Sequence, residues 1–128
     1  MVSKLRTQRI ADRIRQELSE VMLQDVSDPR LVGVHVTDVT VDRELAFAEV
    51  YVSALEGKQR AADVIEALQH AQGYLRSALS ARMELRVFPR LRFHWDATLE
   101  RAEHIEKLLA SLHTEQPSQP ADEDELDE

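Results

Sequence analysis

Apolar residues recur every three to five positions near the start of the chain, at Leu5, Ile10, Ile14, Leu18, Val21 and Met22. That spacing lays a stripe along a helix from about Lys4 to Gln24, with Arg6, Arg9 and Arg13 on a largely separate face. The pattern breaks at Val26-Ser27-Asp28-Pro29-Arg30, which reads as a turn because a residue before proline avoids helical geometry. From Leu31 to Val41 the chain is valine-rich. Val32, Val34 and Val36 alternate, and Val39 and Val41 then continue in the opposite phase. A strand with a bulge or bend near Thr37-Asp38 accounts for the switch. After the short connection Asp42-Arg43-Glu44, a second strand is predicted over Leu45 to Ser53, with Ala46, Ala48, Val50 and Val52 on one face. The two strands should pair as an antiparallel hairpin.

Glu56-Gly57-Lys58 marks a break, and helical periodicity resumes from Arg60 to about Arg82 through Ala61, Val64, Ile65, Leu68, Ala71, Leu75 and Leu79. Gly73 falls inside this pattern, where glycine costs about 1 kcal/mol relative to alanine. A kink, or a break into two helices, is expected at Ala71-Gln72-Gly73. Alternation returns between Leu85 and Trp95, interrupted by Pro89. Proline cannot donate to a sheet ladder, so a third strand is placed at Arg90 to Trp95 with Pro89 at an edge or entry point. Thr98 opens a last helix with Leu99, Ala102, Ile105, Leu108, Leu109 and Leu112. The order is helix, strand, strand, helix-kink-helix, strand, helix. It predicts an α+β fold in which helices cover one face of a three-stranded sheet. One domain over 1–113 is expected, followed by a disordered acidic tail over 114–128.

Composition changes this picture little; the distribution of charge changes it more. The chain has 128 residues, no cysteine and a net charge of −8. Disulfides, thiol catalysis and thiolate metal sites are therefore excluded. No apolar run is long enough for a signal peptide or a membrane span, so an unexported cytoplasmic protein is expected. Seven acids and no base lie between Thr114 and Glu128. Without them 17 acids face 16 bases. Met1–Arg15 carries five bases against Asp12, and Arg76–Arg92 carries five arginines against Glu84. Two local fields are thus basic in a chain that is acidic on average.

Those segments supply the candidate chemistry. Lys4, Arg6, Arg9 and Arg13 on the first helix, and Arg76, Arg82, Arg86, Arg90 and Arg92 around the third strand, are candidates for phosphate contact. The planar guanidinium fork matches a phosphate, and release of counterions favours binding. The alternative is an ordinary solvated basic face. Aromatic residues make up only 5%, so contact with backbone and shape is favoured over base stacking. Ala71 and Gly73 could admit a close backbone approach, either by another helix in plain packing or by a ribose-phosphate. His94, Asp96, Glu100, Glu103 and His104 form a polar cluster in sequence, and Glu100 and His104 have a metal-compatible spacing. Solvated side chains and helix caps at Asp96 and Thr98 account for them more simply, so no metal is assigned. With no phosphate-binding loop, dinucleotide fingerprint or nucleophile elbow, no enzyme, cofactor or small-molecule substrate is expected.

Several stretches together resemble one family. They are Arg9-Ile10-Ala11-Asp12-Arg13-Ile14 with Glu17-Leu18, Val26-Ser27-Asp28-Pro29-Arg30, Val36-Thr37-Asp38-Val39, and Ala48-Glu49-Val50-Tyr51-Val52-Ser53. Ala71-Gln72-Gly73-Tyr74-Leu75-Arg76, leading to Pro89-Arg90-Leu91-Arg92-Phe93, completes the set. In order and spacing, over about Arg6 to Leu112, the chain resembles the ribosome-binding factor A family. The resemblance implies a KH-like domain of the second type, with an alanine-any-glycine kink at Ala71-Gln72-Gly73 in place of the usual glycine loop. It further implies binding to free or immature 30S subunits and 16S rRNA, a role in processing the 16S rRNA 5′ end, and one in cold adaptation; a monomer is expected. The acidic tail is not part of the family's core pattern.

Overall fold

The computed structural model describes residues 2–114. The expected acidic tail over 114–128 therefore lies, from 115 on, outside the described residues. The chain divides into two compact units, Met1–Asp96 and Ala97–Glu128.

In the first unit, helix α1 spans Lys4–Gln24. The Ser3 hydroxyl caps it by accepting from the Arg6 backbone N–H at 3.1 Å. Its buried stripe is Thr7, Ile10, Ala11, Ile14, Leu18 and Val21, while Leu5, expected in the stripe, is exposed. Leu5 lies in the first turn, ahead of the point where α1 meets the core. The turn that follows contains a single 3-10 turn at Pro29–Leu31, capped by the Asp28 carboxylate on the Arg30 N–H.

Strand β1 covers Val34–Val41 and strand β2 covers Phe47–Ala54. They pair antiparallel, and the register slips between Val36 and Asp38, where the change of valine phase predicted a bulge. The bulge keeps Val34, Val36 and Val39 all facing the core. Both strands begin later than the sequence predicted. Leu31 is taken into the 3-10 turn, and Leu45 adopts a positive φ of 58° in the hairpin loop. That loop closes on Asp42, whose carboxylate accepts from the backbone N–H groups of Ala46 and Phe47.

Helices α2 (Ala61–His70) and α3 (Gln72–Arg82) are separated by the single residue Ala71, at the expected break. Strand β3 is Arg90–Trp95, as predicted. It pairs parallel to β2, giving the sheet order β1-β2-β3. The two intervening helices make this parallel return possible, because parallel strands need a long crossover. Pro89 is buried immediately before β3, an edge strand, where its missing N–H costs no ladder bond.

Ala48, Val50, Val52, Leu91 and Phe93 on the sheet pack in one cluster with Ile14, Leu18, Val64, Leu68, Leu75 and Leu79 from the helices. Three helices therefore cover one sheet face, the arrangement of a KH-like α+β domain of the second type. The opposite face carries its own polar network. Glu49 accepts from Arg92 and lies 2.6 Å from His94 Nε2, Arg92 stacks 3.8 Å over the Phe47 ring, and His94 meets Tyr51. The second unit contains helix α4, Thr98–Thr114. Among the described residues no helix is long and apolar enough to cross a membrane.

Candidate nucleic-acid surface

The first half of α1 and the segment after α3 enclose a groove of about 590 Å³. Arg6, Arg9, Arg13 and Arg82 line it around an apolar floor of Ile10, Met83 and Leu85. Arg6 and Leu85 also line an adjoining hollow of about 520 Å³ with Val2, Arg43, Glu44, Arg86 and Val87. Two basic segments separated by some 70 residues in sequence are thereby joined on one surface. Helix periodicity does the placing. The stripe that buries Ile10 and Ile14 turns Arg6, Arg9 and Arg13 outward toward the end of α3.

These cations are not equivalent. Lys4, Arg6, Arg9, Arg86 and Arg90 are exposed and have no ion pair among the described residues. Arg13 is bonded to Glu17 at 2.9 Å and donates to the Arg82 carbonyl at 3.1 Å. Arg82 reaches Glu17 at 3.1 Å and Glu20 at 3.2 Å, tying the end of α3 to α1. Arg76 donates to the Phe88 carbonyl at 2.6 Å and to the Pro89 carbonyl at 3.2 Å. Arg92 belongs to the Glu49 network on the open sheet face. Of the nine cations expected to touch phosphate, Arg76, Arg82 and Arg92 are therefore held by the protein's own acceptors, and Arg13 is partly held. Glu84 and Glu44 on the rims offset part of the remaining charge.

Arg43 is a cation that the sequence reading passed over. It lines the second hollow and holds the N-terminus through a bond to the Val2 carbonyl at 3.1 Å. Its neighbours Asp42 and Glu44 cancel its charge in any segment count, so no sequence signal marked it.

Glu17 is central to the clamp between α1 and α3. The hydrogen bond from Arg13, then that from Arg82, holds its carboxyl below the usual carboxylate range. A lowered folded-state value contributes stability above the ordinary glutamate pKa of about 4.3, lost as pH falls through the folded value. Glu17→Gln should therefore flatten the acid limb of stability against pH. Urea midpoints from pH 3 to 7 check this; an unchanged acid limb would contradict the clamp.

Ala71 and Gly73 lie at the start of α3. Ala71 has no side chain able to cap, and the first-turn N–H groups of Gln72, Gly73 and Tyr74 have no carbonyl within α3 to bond. The Gln72 side chain ties this end to the Leu91 carbonyl. Gly73 is exposed, its φ is not positive, and a Cβ built there would meet nothing within 4 Å. Helix packing inside the described residues therefore gives no reason for this glycine, and the space where its Cβ would stand is open.

His94 and Asp96 are also engaged: His94 pairs with Glu49, and Asp96 accepts from Thr37 at 2.6 Å. Among the described residues, no three His, Asp or Glu side chains gather to hold a metal ion.

The chain matches the model of the family described as ribosome-binding factor A over residues 6–109. It belongs to the ribosome-binding factor A family. A relative of that name from Thiobacillus denitrificans is 40% identical over 92% of this chain and 95% of its own length. One from Staphylococcus carnosus is 36% identical over 88% of this chain and 97% of its own. The crystal structure of ribosome-binding factor A from Thermus thermophilus superposes with a TM-score of 0.62 at 28% identity, covering 70% of this chain and 93% of that one. Coordinates of a Thermus thermophilus ribosome-binding factor A fitted into a cryo-EM map of its 30S complex give a TM-score of 0.57 at 32% identity. They cover 68% of this chain and 92% of that one. Ribosome biogenesis and RNA binding are in keeping with this family membership.

Proposed function

We propose that the chain is a non-catalytic assembly factor that binds free or immature 30S subunits through 16S rRNA and assists late maturation, including processing of the 16S rRNA 5′ end. It acts as a cytoplasmic monomer without a cofactor. The observation that carries this reading is the arginine-lined groove between α1 and the segment after α3, where Arg6 and Arg9 have no ion pair among the described residues, in a member of a ribosome-binding family. Lys4, Arg6, Arg9, Arg86 and Arg90 supply phosphate contacts, with Arg13 contributing the part of its charge that Glu17 leaves. Guanidinium groups beside an apolar floor suit a ribose-phosphate backbone, which offers both charge and a sugar surface. The open N-terminus of α3 at Ala71–Gly73 offers backbone N–H groups to a further phosphate. Arg76 and Arg82 brace this surface through the protein's own acceptors, and Arg92 is held by Glu49 on the other face of the sheet, so none of the three is counted among the phosphate contacts.

Purified protein should co-sediment with free 30S subunits at low salt and dissociate as salt rises. Failure to co-sediment at any salt would sink the reading, and binding to subunits without binding to a 16S transcript would point to a protein adaptor instead. Gly73→Ala separates stability from binding. Alanine fits without a clash and should stabilise the folded chain by roughly 0.5–1 kcal/mol, yet it should weaken RNA binding by crowding the open N-terminus. A variant both more stable and fully competent in filter binding would clear Gly73 of contact.

A further inference from the structure

The net charge of −8 resides entirely after Asp96: residues 98–128 hold ten acids and two bases, and residues 1–97 hold fourteen of each. Within the acidic part, α4 presents Ile105, Leu108, Leu109 and Leu112 at the spacing i, i+3, i+4, i+7, and these four are between 51% and 60% exposed. The same helix places Glu103, His104 and Lys107 away from that stripe. We propose that α4 is a docking helix that lays its apolar stripe into a groove on a basic protein of the small subunit.

The spacing is that of a helix-in-groove ligand, in which alternate turns supply the anchors. Charge selects the partner. A helix with more acids than bases, followed by seven further acids, is repelled by phosphate and drawn to a lysine- or arginine-rimmed surface. RNA is thus disfavoured as the occupant. A second copy is disfavoured too, since two segments of the same net negative charge repel. The stripe also repeats over barely two turns, too short for a self-standing coiled coil. The chain so divides its contacts: basic arginines of the first unit for rRNA, and an acidic apolar helix for protein.

This proposal rests on the small-subunit reading, and the test separates the two. Ile105→Gln with Leu109→Gln keeps good helix formers and removes the stripe. The double variant should bind intact 30S subunits at least tenfold more weakly than wild type, bind a protein-free 16S rRNA transcript equally well, and unfold at the same temperature. A photoreactive side chain at Leu112 should crosslink to a basic protein of the purified subunit. Undiminished binding to 30S, an equal loss on the transcript, a lowered unfolding temperature, or crosslinks only to rRNA or to a second copy each overturns the proposal. If wild type itself fails to bind 30S, the small-subunit reading fails first and this proposal with it.

Discussion

Reversing Arg6, Arg9 and Arg86 to glutamate together should weaken association with 30S subunits about a hundredfold near 0.1 M salt, and should flatten the salt dependence. The argument is one of availability. These three side chains are exposed, line the two joined hollows, and have no ion pair among the described residues. Each can give its full charge to a phosphate. Each contact removed lowers the slope of log affinity against log salt by about 0.7–0.9, so three contacts account for a change of roughly 2–3. The fold should survive, because none of the three holds another element in place. Reversal of Lys58, exposed on a 3-10 turn away from either hollow, provides a control that should lose little. Co-sedimentation across a salt series reads all of this; a triple variant with wild-type affinity and slope would clear the groove of a role.

Arg76→Ala should instead act on stability. Its guanidinium bonds the carbonyls of Phe88 and Pro89, fixing α3 to the chain entering the edge strand β3. Pro89 is buried there, and Phe88 is a core residue. Charge-assisted bonds of this kind contribute about 1.5–3 kcal/mol, and the carbonyls left behind have little access to water. A loss of about 2 kcal/mol is expected, or roughly 5–10 °C in Tm for a domain of this size. Arg76→Lys should rescue little, since an ammonium cannot span two carbonyls as a planar fork does. Denaturant melts and a thermal scan check the prediction. If the variant keeps wild-type stability but loses RNA binding, Arg76 is a contact residue and the division between free and held arginines fails.

That division was not legible in the sequence. The elements were, because they follow from periodicity. The stripe of α1 gave a helix, the change of valine phase gave the slip between Val36 and Asp38, and Pro89 gave the entry to β3. Gly73 marked a break that the structure places at Ala71. Strand starts were misplaced where local chemistry overrode alternation: Asp28 and Pro29 wound Leu31 into a turn, and Asp42 gathered Ala46 into the hairpin loop. Charge was legible only as a sum. Arg82 and Arg86 look alike in a segment count, yet Arg82 meets Glu17 and Glu20 from a helix over 60 residues away in sequence. Such pairing is tertiary, and one sequence carries no trace of it. Arg43 shows the converse, a cation hidden between two acids that folding brings beside Arg6 and Arg86.

A crosslinking map of the wild-type protein on 30S subunits tests the central claim most directly. Ultraviolet irradiation of the complex, followed by identification of the peptides joined to 16S rRNA, should place crosslinks within residues 4–13 and 84–92, with a further set near Gly73. Crosslinks to 16S rRNA confined to other surfaces, such as the Glu49–His94 face of the sheet, would contradict the account.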